Sequence, residues 1–266
     1  MTYFSSLLKT SPTYKPAADR LFIALDSYGI QYGFLENTRD IWVRDFMPVR
    51  TRSGKYVSFR YEPCYLDDDP DLKTDFRSDI SEQLSLQNIV YSEINLDGGN
   101  IVFSPSKTKA VISDRVFAEN DKYASAELVQ QLEQLLEAQV IVIPSLRSDM
   151  TGHADGMVRF VDEHTVIGNR SPYLFGLERH IKAVLRNHGI EVIDFPYFES
   201  PKDSAIGCYL NFLETEHALF LPVFGVDTDN EALVAAENLF QKPVVPVGIN
   251  EVAEQGGLLN CIIWEI

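Results

Sequence analysis

Val140-Ile141-Val142-Ile143 is the clearest copy of a unit that recurs through this chain of 266 residues. Residues 126–138, just before it, carry apolar side chains every three to four positions, which predicts a helix. A polar turn and a second β-rich segment at residues 157–161 follow it. The other copies of the first strand lie at residues 31–35, 88–91, 190–193 and 244–247.

Successive copies begin 50 to 57 residues apart, a spacing typical of closed or stacked repeats. A helix-like stretch precedes each copy, at residues 17–28, 78–86 (the weakest), 126–138, 174–188 and 231–240. A second β-rich segment follows each copy, at residues 56–61, 101–103, 157–161, 209–213 and 262–264. The pattern favours an α/β fold in the form of a five-bladed, propeller-like ring with outer helices. An ordinary α/β sheet has the same alternation and stays open at this point.

Composition limits the class of protein. The chain has no Gly/Ser-rich linker, and the acidic residues 67–71 are typical of a surface loop, so residues 1–266 are predicted to form one domain. The net charge of −16 argues against nucleic-acid binding and is compatible with a small cationic substrate. We expect no membrane span and no secretory signal. Three cysteines are too few for a disulfide framework, which predicts a cytoplasmic setting.

Polar residues stand out in the turns that follow the repeat strands. If the chain forms a ring, these turns converge on the same end of its central channel, and with them the candidate residues Trp42, Arg44, Asp45, Asp97, His153, Asp155, Asn211 and Cys261. Asp45 and Asp155 have apolar neighbours, and a buried carboxylate must be paired or protonated. One interpretation pairs Asp45 with Arg44 or Arg39, and Asp155 with Arg159. The other is that both carboxylates bind an external cation, and a planar guanidinium fits them best.

His153 lies between Gly152 and Gly156, two residues before Asp155, so the two side chains can face one site. A His-x-Asp pair can also bind a metal, but no further cluster of ligands accompanies it, so no metal is predicted. Cys261 follows the pair Gly256-Gly257 and precedes an apolar run, which suits a nucleophile. Cys64 lies among carboxylates and Cys208 resembles an inert core thiol, so neither competes with Cys261.

Four motifs in order give the chain a family resemblance: Trp42-Val43-Arg44-Asp45-Phe46-Met47-Pro48, Gly152-His153-Ala154-Asp155, Tyr209-Leu210-Asn211 and Gly256-Gly257-x-x-x-Cys261. They resemble the agmatine deiminase and bacterial-type peptidylarginine deiminase family of guanidino-group modifying enzymes. That family implies a pentein-type ring, a five-bladed α/β propeller of repeated ββαβ units. Asp97-Gly98-Gly99 departs from the Glu-Gly-Gly usual in agmatine deiminases and is closer to the peptidylarginine branch.

The resemblance implies a hydrolase that needs no cofactor. Cys261 would attack the guanidino carbon, Asp45 and Asp155 would clamp the guanidinium, and His153 would act as acid and then base. Trp42, Arg44, Asp97 and Asn211 would bind the substrate. Agmatine, giving N-carbamoylputrescine and ammonia on the route to putrescine and polyamines, is the first expectation.

Several alternatives stay open. Arginine or peptidylarginine could be the substrate, with Arg39, Arg50, Arg60 or Arg170 as the partner of its carboxylate. An amidinotransferase would use the same covalent intermediate, and a non-catalytic guanidine-binding propeller would keep only the fold. A homodimer is compatible with the sequence.

Overall fold

The computed structural model describes residues 1–171, 175–199 and 204–266. Its strands are β1 (Thr2–Ser5), β2 (Tyr32–Leu35), β3 (Val49–Arg50), β4 (Tyr56–Arg60), β5 (Ile89–Asn95), β6 (Ile101–Phe103), β7 (Lys109–Ser113), β8 (Gln139–Ile143), β9 (Val158–Asp162), β10 (Thr165–Asn169), β11 (Glu191–Phe195), β12 (Leu213–Glu214), β13 (Leu219–Val223), β14 (Val244–Gly248) and β15 (Trp264–Glu265).

The α-helices of the same residues are α1 (Leu7–Thr10), α2 (Lys15–Ser27), α3 (Val43–Phe46), α4 (Arg115–Ala118), α5 (Ser125–Leu136), α6 (Phe175–Asn187), α7 (Thr228–Leu239) and α8 (Asn250–Ala253). Short 3₁₀ turns at Gly98–Asn100 and Ala154–Gly156 lie between strands. In the part of the chain that the structure describes, no helix has the length and apolar character that a bilayer crossing requires.

The strands form five separate three-stranded sheets, which are the blades of the predicted ring. In each blade the middle strand pairs antiparallel with one neighbour and parallel with the other; β7, for example, lies between β6 and β8. Parallel neighbours need a crossover, and a helix supplies it, as α5 does between β7 and β8. The α/β class and the five-bladed architecture are therefore confirmed.

The first blade joins the two ends of the chain. C-terminal β15 pairs antiparallel with β1, so Thr2 lies opposite Glu265 and Tyr3 opposite Trp264, while β1 pairs in parallel with β2. The blade order β15-β1-β2 thus repeats the order of the other four, with its outer strand supplied from the far end of the chain. This pairing closes the ring.

Apolar spacing explains why the helices lie against the sheets. In α5, Leu128, Leu132 and Leu136 recur every four residues on one face and are fully buried. They pack in one cluster with Ala110 and Ile112 of β7. The same spacing in α2 buries Leu21 and Leu25.

Three predicted segments differ from the structure. Residues 209–211 form a turn, and β12 begins only at Leu213; similarly, β15 begins at Trp264 rather than at residue 262. In both cases the apolar run is bent so that a polar residue faces the ring axis, and the backbone N–H of Asn260 donates to the carbonyl of Asn211. The helix predicted at residues 78–86 is not an α-helix: a one-turn π-helix covers Phe76–Ile80, a 3₁₀ turn covers Ser81–Gln83, and residues 84–86 are not helical. The helix predicted at residues 174–188 begins at Phe175, and Leu174 lies outside the described residues.

Trp264 packs in the blade that closes the ring, and its replacement tests how much this blade contributes to stability. The side chain is 3% exposed, and its indole Nε1 donates to the carbonyl of Pro48 at 2.7 Å. We expect Trp264→Ala to lower the free energy of unfolding by about 3–5 kcal/mol, because it leaves a cavity and an unpaired carbonyl at the closing blade. Urea denaturation measures this change. Ile23→Ala, on a side chain 70% exposed, is the control, and equal losses in the two variants would contradict the role of Trp264.

Candidate active site

The five connections between one blade and the next carry the predicted site residues. Helix α3 holds Asp45 between β2 and β3; Asp97 follows β5, and His153 and Asp155 follow β8. Asn211 lies between β11 and β12, and Cys261 between β14 and β15. Because each connection leaves the third strand of its blade, the five turns meet at one end of the ring. The hydrogen bonds described next join side chains from all five.

His153 is buried between two carboxylates. Its Nε2 is 2.8 Å from Asp97 Oδ2, and its Nδ1 is 3.6 Å from Asp45 Oδ1. Burial lowers the pKa of His153, but the charge of Asp45 and the hydrogen bond and charge of Asp97 outweigh it and raise the pKa well above the usual value. The raised pKa favours the protonated form of the imidazole, the form that can act as a general acid.

Asp155 is held by two amides beside the nucleophile. Its Oδ2 accepts hydrogen bonds from Asn211 Nδ2 at 3.0 Å and from Asn260 Nδ2 at 2.8 Å. Cys261 Sγ lies 3.9 Å from the same oxygen and 3.4 Å from Asn211 Oδ1. Asn211 thus orients the carboxylate and the thiol together.

Neither predicted clamp carboxylate takes an arginine partner among the described residues. Arg39 pairs with Asp79 at 3.0 Å, and Arg159 donates to Asn260 Oδ1 at 2.8 Å rather than to Asp155. Burial raises the pKa of Asp45, an effect that His153 opposes and the charges of Asp97 and Asp155 reinforce. His153 is a basic neighbour of Asp45 but is shared with Asp97, and Asp155 accepts hydrogen bonds from two neutral amides. Three buried acids around one imidazole favour an external cation, as the second interpretation of the sequence predicts.

The pair Gly98-Gly99 explains how these acids come so close. A Cβ on Gly99 would lie 2.5 Å from Asp45 Oδ1 and 2.8 Å from His153 Nδ1, so no other residue fits there. The Gly99 N–H donates to Asp45 Oδ1 at 2.9 Å. A Cβ on Gly98 would collide with the carbonyl of Arg44. The motif is therefore required by packing at the centre of the site.

Gly257 has a matching role beside Trp42. A Cβ there would overlap the indole ring of Trp42, which lines the cavity next to Cys261. Because Gly257 has no side chain, the segment before Cys261 can pack directly against the indole ring of Trp42. This contact holds Trp42 as a wall of the cavity.

Two predicted substrate-binding residues, Arg44 and Asp97, are absent from the cavity lining: Asp97 Oδ2 bonds to His153 and Tyr65, and Arg44 lies farther away. Arg44 donates from its Nε to the carbonyl of Asn260 at 3.1 Å, and its backbone N–H donates to the carbonyl of Cys261. The prediction that it binds substrate is corrected, because its guanidinium is used to hold the nucleophile segment against α3.

Three residues of the site were not predicted. Asn260 bridges Arg159 and Asp155, and its position next to Cys261 is the signal that could have found it. The hydroxyl of Tyr65 donates to Asp97 Oδ2 at 2.9 Å. Tyr65 lies in a segment without a periodic apolar pattern, so the sequence carried no signal for it. Asp40 lines the cavity and accepts the N–H of Trp42 at 2.9 Å; burial raises its pKa to about 7.

The three cysteine thiols differ in their burial and in the groups that surround them. Burial, with the charges of Asp155 and Asp45 added, raises the pKa of Cys261 well above its ordinary value. Burial also raises the pKa of Cys208, to about 12, whereas Cys64 is exposed and accepts a hydrogen bond from Arg115. Of the three, Cys261 is the one whose sulfur lies within 4 Å of a buried carboxylate oxygen, that of Asp155 at 3.9 Å. A positive charge bound next to Cys261 would lower the pKa of its thiol and favour the thiolate.

A cavity of about 490 Å³ opens from these residues. Beyond Cys261 its wall is mainly apolar, with Leu66, Leu146, Leu177, Ile181, Ile206 and Leu258. Asp149, Glu178 and Glu199 also line it, and Lys182 is the one Lys or Arg side chain among its described lining residues. Lys182 forms an ion pair with Asp194. No metal-binding group of three or more His, Cys, Asp or Glu occurs within residues 1–171, 175–199 and 204–266.

The sequence of residues 12–266 matches the model of the Porphyromonas-type peptidyl-arginine deiminase family. The chain belongs to this family. It is accordingly an enzyme of the guanidino-group deiminases, a class of hydrolases. No curated protein matches the chain by sequence search.

Solved structures agree in fold. Agmatine deiminase of C. jejuni is similar with a TM-score of 0.77 and 15% identity, over 99% of this chain and 92% of that one. For agmatine deiminase of Enterococcus faecalis the TM-score is 0.74 at 15% identity, over 94% and 87%. DDAH from Pseudomonas aeruginosa has a TM-score of 0.58 and 12% identity, over 94% and 88%.

Gly99→Ala tests the crowding at the centre of the site. We expect the added methyl group to push Asp45 and His153 apart and to lower the rate of guanidino-group hydrolysis about a hundredfold, since displacements near 1 Å have that effect. Ammonia release measures the rate, and the melting temperature reports the fold. Gly176→Ala on α6, where an added Cβ meets no atom within 4 Å, is the matched control. Full activity in Gly99→Ala would contradict the geometry.

Proposed function

We propose that this protein hydrolyses agmatine to N-carbamoylputrescine and ammonia through a covalent intermediate on Cys261. The observation that carries the proposal is the pair of buried carboxylates, Asp45 and Asp155, which take no arginine partner among the described residues. Asp155 lies 3.9 Å from the Cys261 sulfur, and Asp45 shares its one imidazole neighbour, His153, with Asp97. A guanidinium bound between them has its central carbon within reach of Sγ. Trp42 adds a cation–π wall.

The proposed reaction starts when the guanidinium arrives. Its charge lowers the pKa of Cys261, so that the thiol gives up its proton to solvent water, and the thiolate attacks the guanidino carbon, forming a C–S bond and a tetrahedral adduct. His153, protonated in the free enzyme, gives its proton to one amino group, and the C–N bond breaks to release ammonia. Asp97 keeps the imidazole in place during this transfer.

The second half of the reaction uses the same residues in reverse. His153, now neutral, takes a proton from a water molecule as that water attacks the thiouronium carbon. The C–S bond then breaks as the hydroxyl proton of this second adduct passes to the departing sulfur, which gives the ureido product, restores the Cys261 thiol and leaves His153 protonated as at the start. One water is consumed, and no metal or organic cofactor takes part.

The charges of the cavity favour agmatine over arginine. An arginine substrate needs a cation for its carboxylate, but Arg39, Arg50, Arg60 and Arg170 do not line the cavity, and Lys182 is already paired. Asp149, Glu178 and Glu199 along the wall suit the terminal amine of agmatine and repel a carboxylate. A further structure of the C. jejuni agmatine deiminase, similar with a TM-score of 0.73, has its substrate bound.

Cys261→Ala tests the chemistry, and paired substrates test the specificity. We expect no ammonia release from the variant, since no nucleophile remains, and in the wild type a kcat/KM for agmatine at least about tenfold above that for arginine. A colorimetric ureido assay measures both, with peptidylarginine as a third substrate and chelator present to test for metal dependence. His188→Gln, on an exposed helix end, is the control. Turnover by Cys261→Ala would overturn the mechanism, and a preference for arginine or its peptides would overturn agmatine alone.

The raised pKa of Cys261 makes a separate prediction about thiol reactivity. A pKa above the usual value leaves little thiolate at pH 7, and the thiolate fraction grows as pH rises. We expect neutral 2-chloroacetamide to alkylate Cys261 slowly at pH 7 and faster at pH 9. Cationic 2-chloroacetamidine should react much faster at pH 7, because its amidinium binds the two carboxylates.

Exposed Cys64 is the internal reference for this experiment, and peptide mass mapping gives both rates. Asp155→Asn should reduce the preference of Cys261 for the cationic reagent. Equal preference at Cys64 and Cys261 would contradict activation of the thiol by a bound cation.

A further inference from the structure

Tyr65 connects to the acid–base pair through a shared oxygen atom. Its hydroxyl donates to Asp97 Oδ2 at 2.9 Å, and His153 Nε2 lies 2.8 Å from the same oxygen. The Tyr65 ring also lies edge-on to the imidazole, with ring centroids 6.2 Å apart. The phenol, the carboxylate and the imidazole therefore form one continuous hydrogen-bonded chain.

Asp97 has few other contacts to hold it. The residue is 2% exposed, and its second oxygen, Oδ1, is buried with no hydrogen-bond partner. Its side-chain hydrogen bonds are thus the two on Oδ2. Without Tyr65, a buried carboxylate would be held by His153 alone, free to rotate and with its full charge directed at one imidazole.

Arg115 holds Tyr65 in turn. Its guanidinium carbon lies 5.6 Å from the centroid of the Tyr65 ring, within cation–π range. Arg115 Nη1 donates to the carbonyl of Met150 at 2.7 Å, just before the turn that carries His153. The loop of Tyr65 and the segment of His153 are therefore tied to one side chain of α4.

We propose that Tyr65 is a positioning residue for His153: it fixes the carboxylate of Asp97 and shares its charge, so that the imidazolium can release its proton. The inference rests on the proposed function for its catalytic consequence. A hydroxyl that donates to Asp97 weakens the pull of this carboxylate on the proton of His153. Loss of the hydroxyl should therefore make His153 a weaker acid.

Titratable groups from several elements surround the hydrogen-bonded series Tyr65–Asp97–His153. We expect their charges to be the same in the wild type and in a variant that lacks the Tyr65 hydroxyl. The groups near His153 and Asp97 are Asp40, Asp45, Tyr61, Glu119 and Asp155. None of them donates a hydrogen bond to Asp97 Oδ2, which leaves Tyr65 as its donor besides His153 in the described structure.

Tyr65→Phe removes the hydroxyl and keeps the ring. We expect kcat for agmatine to fall about tenfold with KM within about twofold of wild type, because proton transfer suffers while substrate contacts remain. The titration of His153, followed by NMR and assigned by its loss in His153→Gln, should move to higher pH. Tyr91→Phe, at an exposed tyrosine on β5, is the matched control for both measurements.

Each outcome decides a different point. Unchanged kcat together with an unchanged His153 titration overturns the proposal, and a rise confined to KM would make Tyr65 a substrate contact instead. In an Asp97→Asn background, Tyr65→Phe should no longer shift the His153 titration, since the effect passes through the carboxylate. If wild-type protein released no ammonia, the proposed function would fail, whereas the NMR titration would still test the role of Tyr65.

Discussion

Three carboxylates buried around a single imidazole are the constraint on which the rest of the site depends. Asp45, Asp97 and Asp155 are each nearly inaccessible to solvent, and burying even one ionised carboxylate without partners costs several kcal/mol. The protein offsets this cost with the imidazolium of His153 and with neutral donors: the Gly99 N–H, two asparagine amides and the Tyr65 hydroxyl. Since no arginine of residues 1–171, 175–199 or 204–266 pairs with Asp45 or Asp155, the site is complementary to a cation.

The ring brings this cluster together from five separate connections. No single blade carries more than a part of it, because each connection between blades contributes one or two side chains. The pairing of β15 with β1 then brings the last connection, with Cys261, beside the first, where the N–H of Arg44 next to Asp45 donates to the carbonyl of Cys261. A reaction that needs a thiol, a clamp and a proton donor together is thereby linked to closure of the chain ends.

A comparison of the predicted repeat with the observed strands and helices shows where the apolar pattern of the sequence is enough to predict local structure. Apolar spacing in residues 126–138 and the β-branched run at residues 140–143 predict α5 and β8 closely, because their burial is local and periodic. The same reasoning fails at residues 209–211 and 262–263, which are apolar but turn. There the backbone turns so that Asn211 and Cys261 lie in the site, and hydrogen bonds from Asn260 to Asn211 hold the two turns together.

Within the site, the sequence by itself determined which residue types could act together. The motifs around Asp45, His153, Asp155 and Cys261 lie at repeated positions, so their convergence follows from the fivefold pattern. Tertiary structure alone decided the partners: that Arg44 holds the nucleophile segment, that Asn260 bridges to Asp155, and that Tyr65 reaches Asp97. The physical reason is that hydrogen bonds across a ring join residues far apart in the chain, and their pairing depends on side-chain direction, which no local pattern encodes.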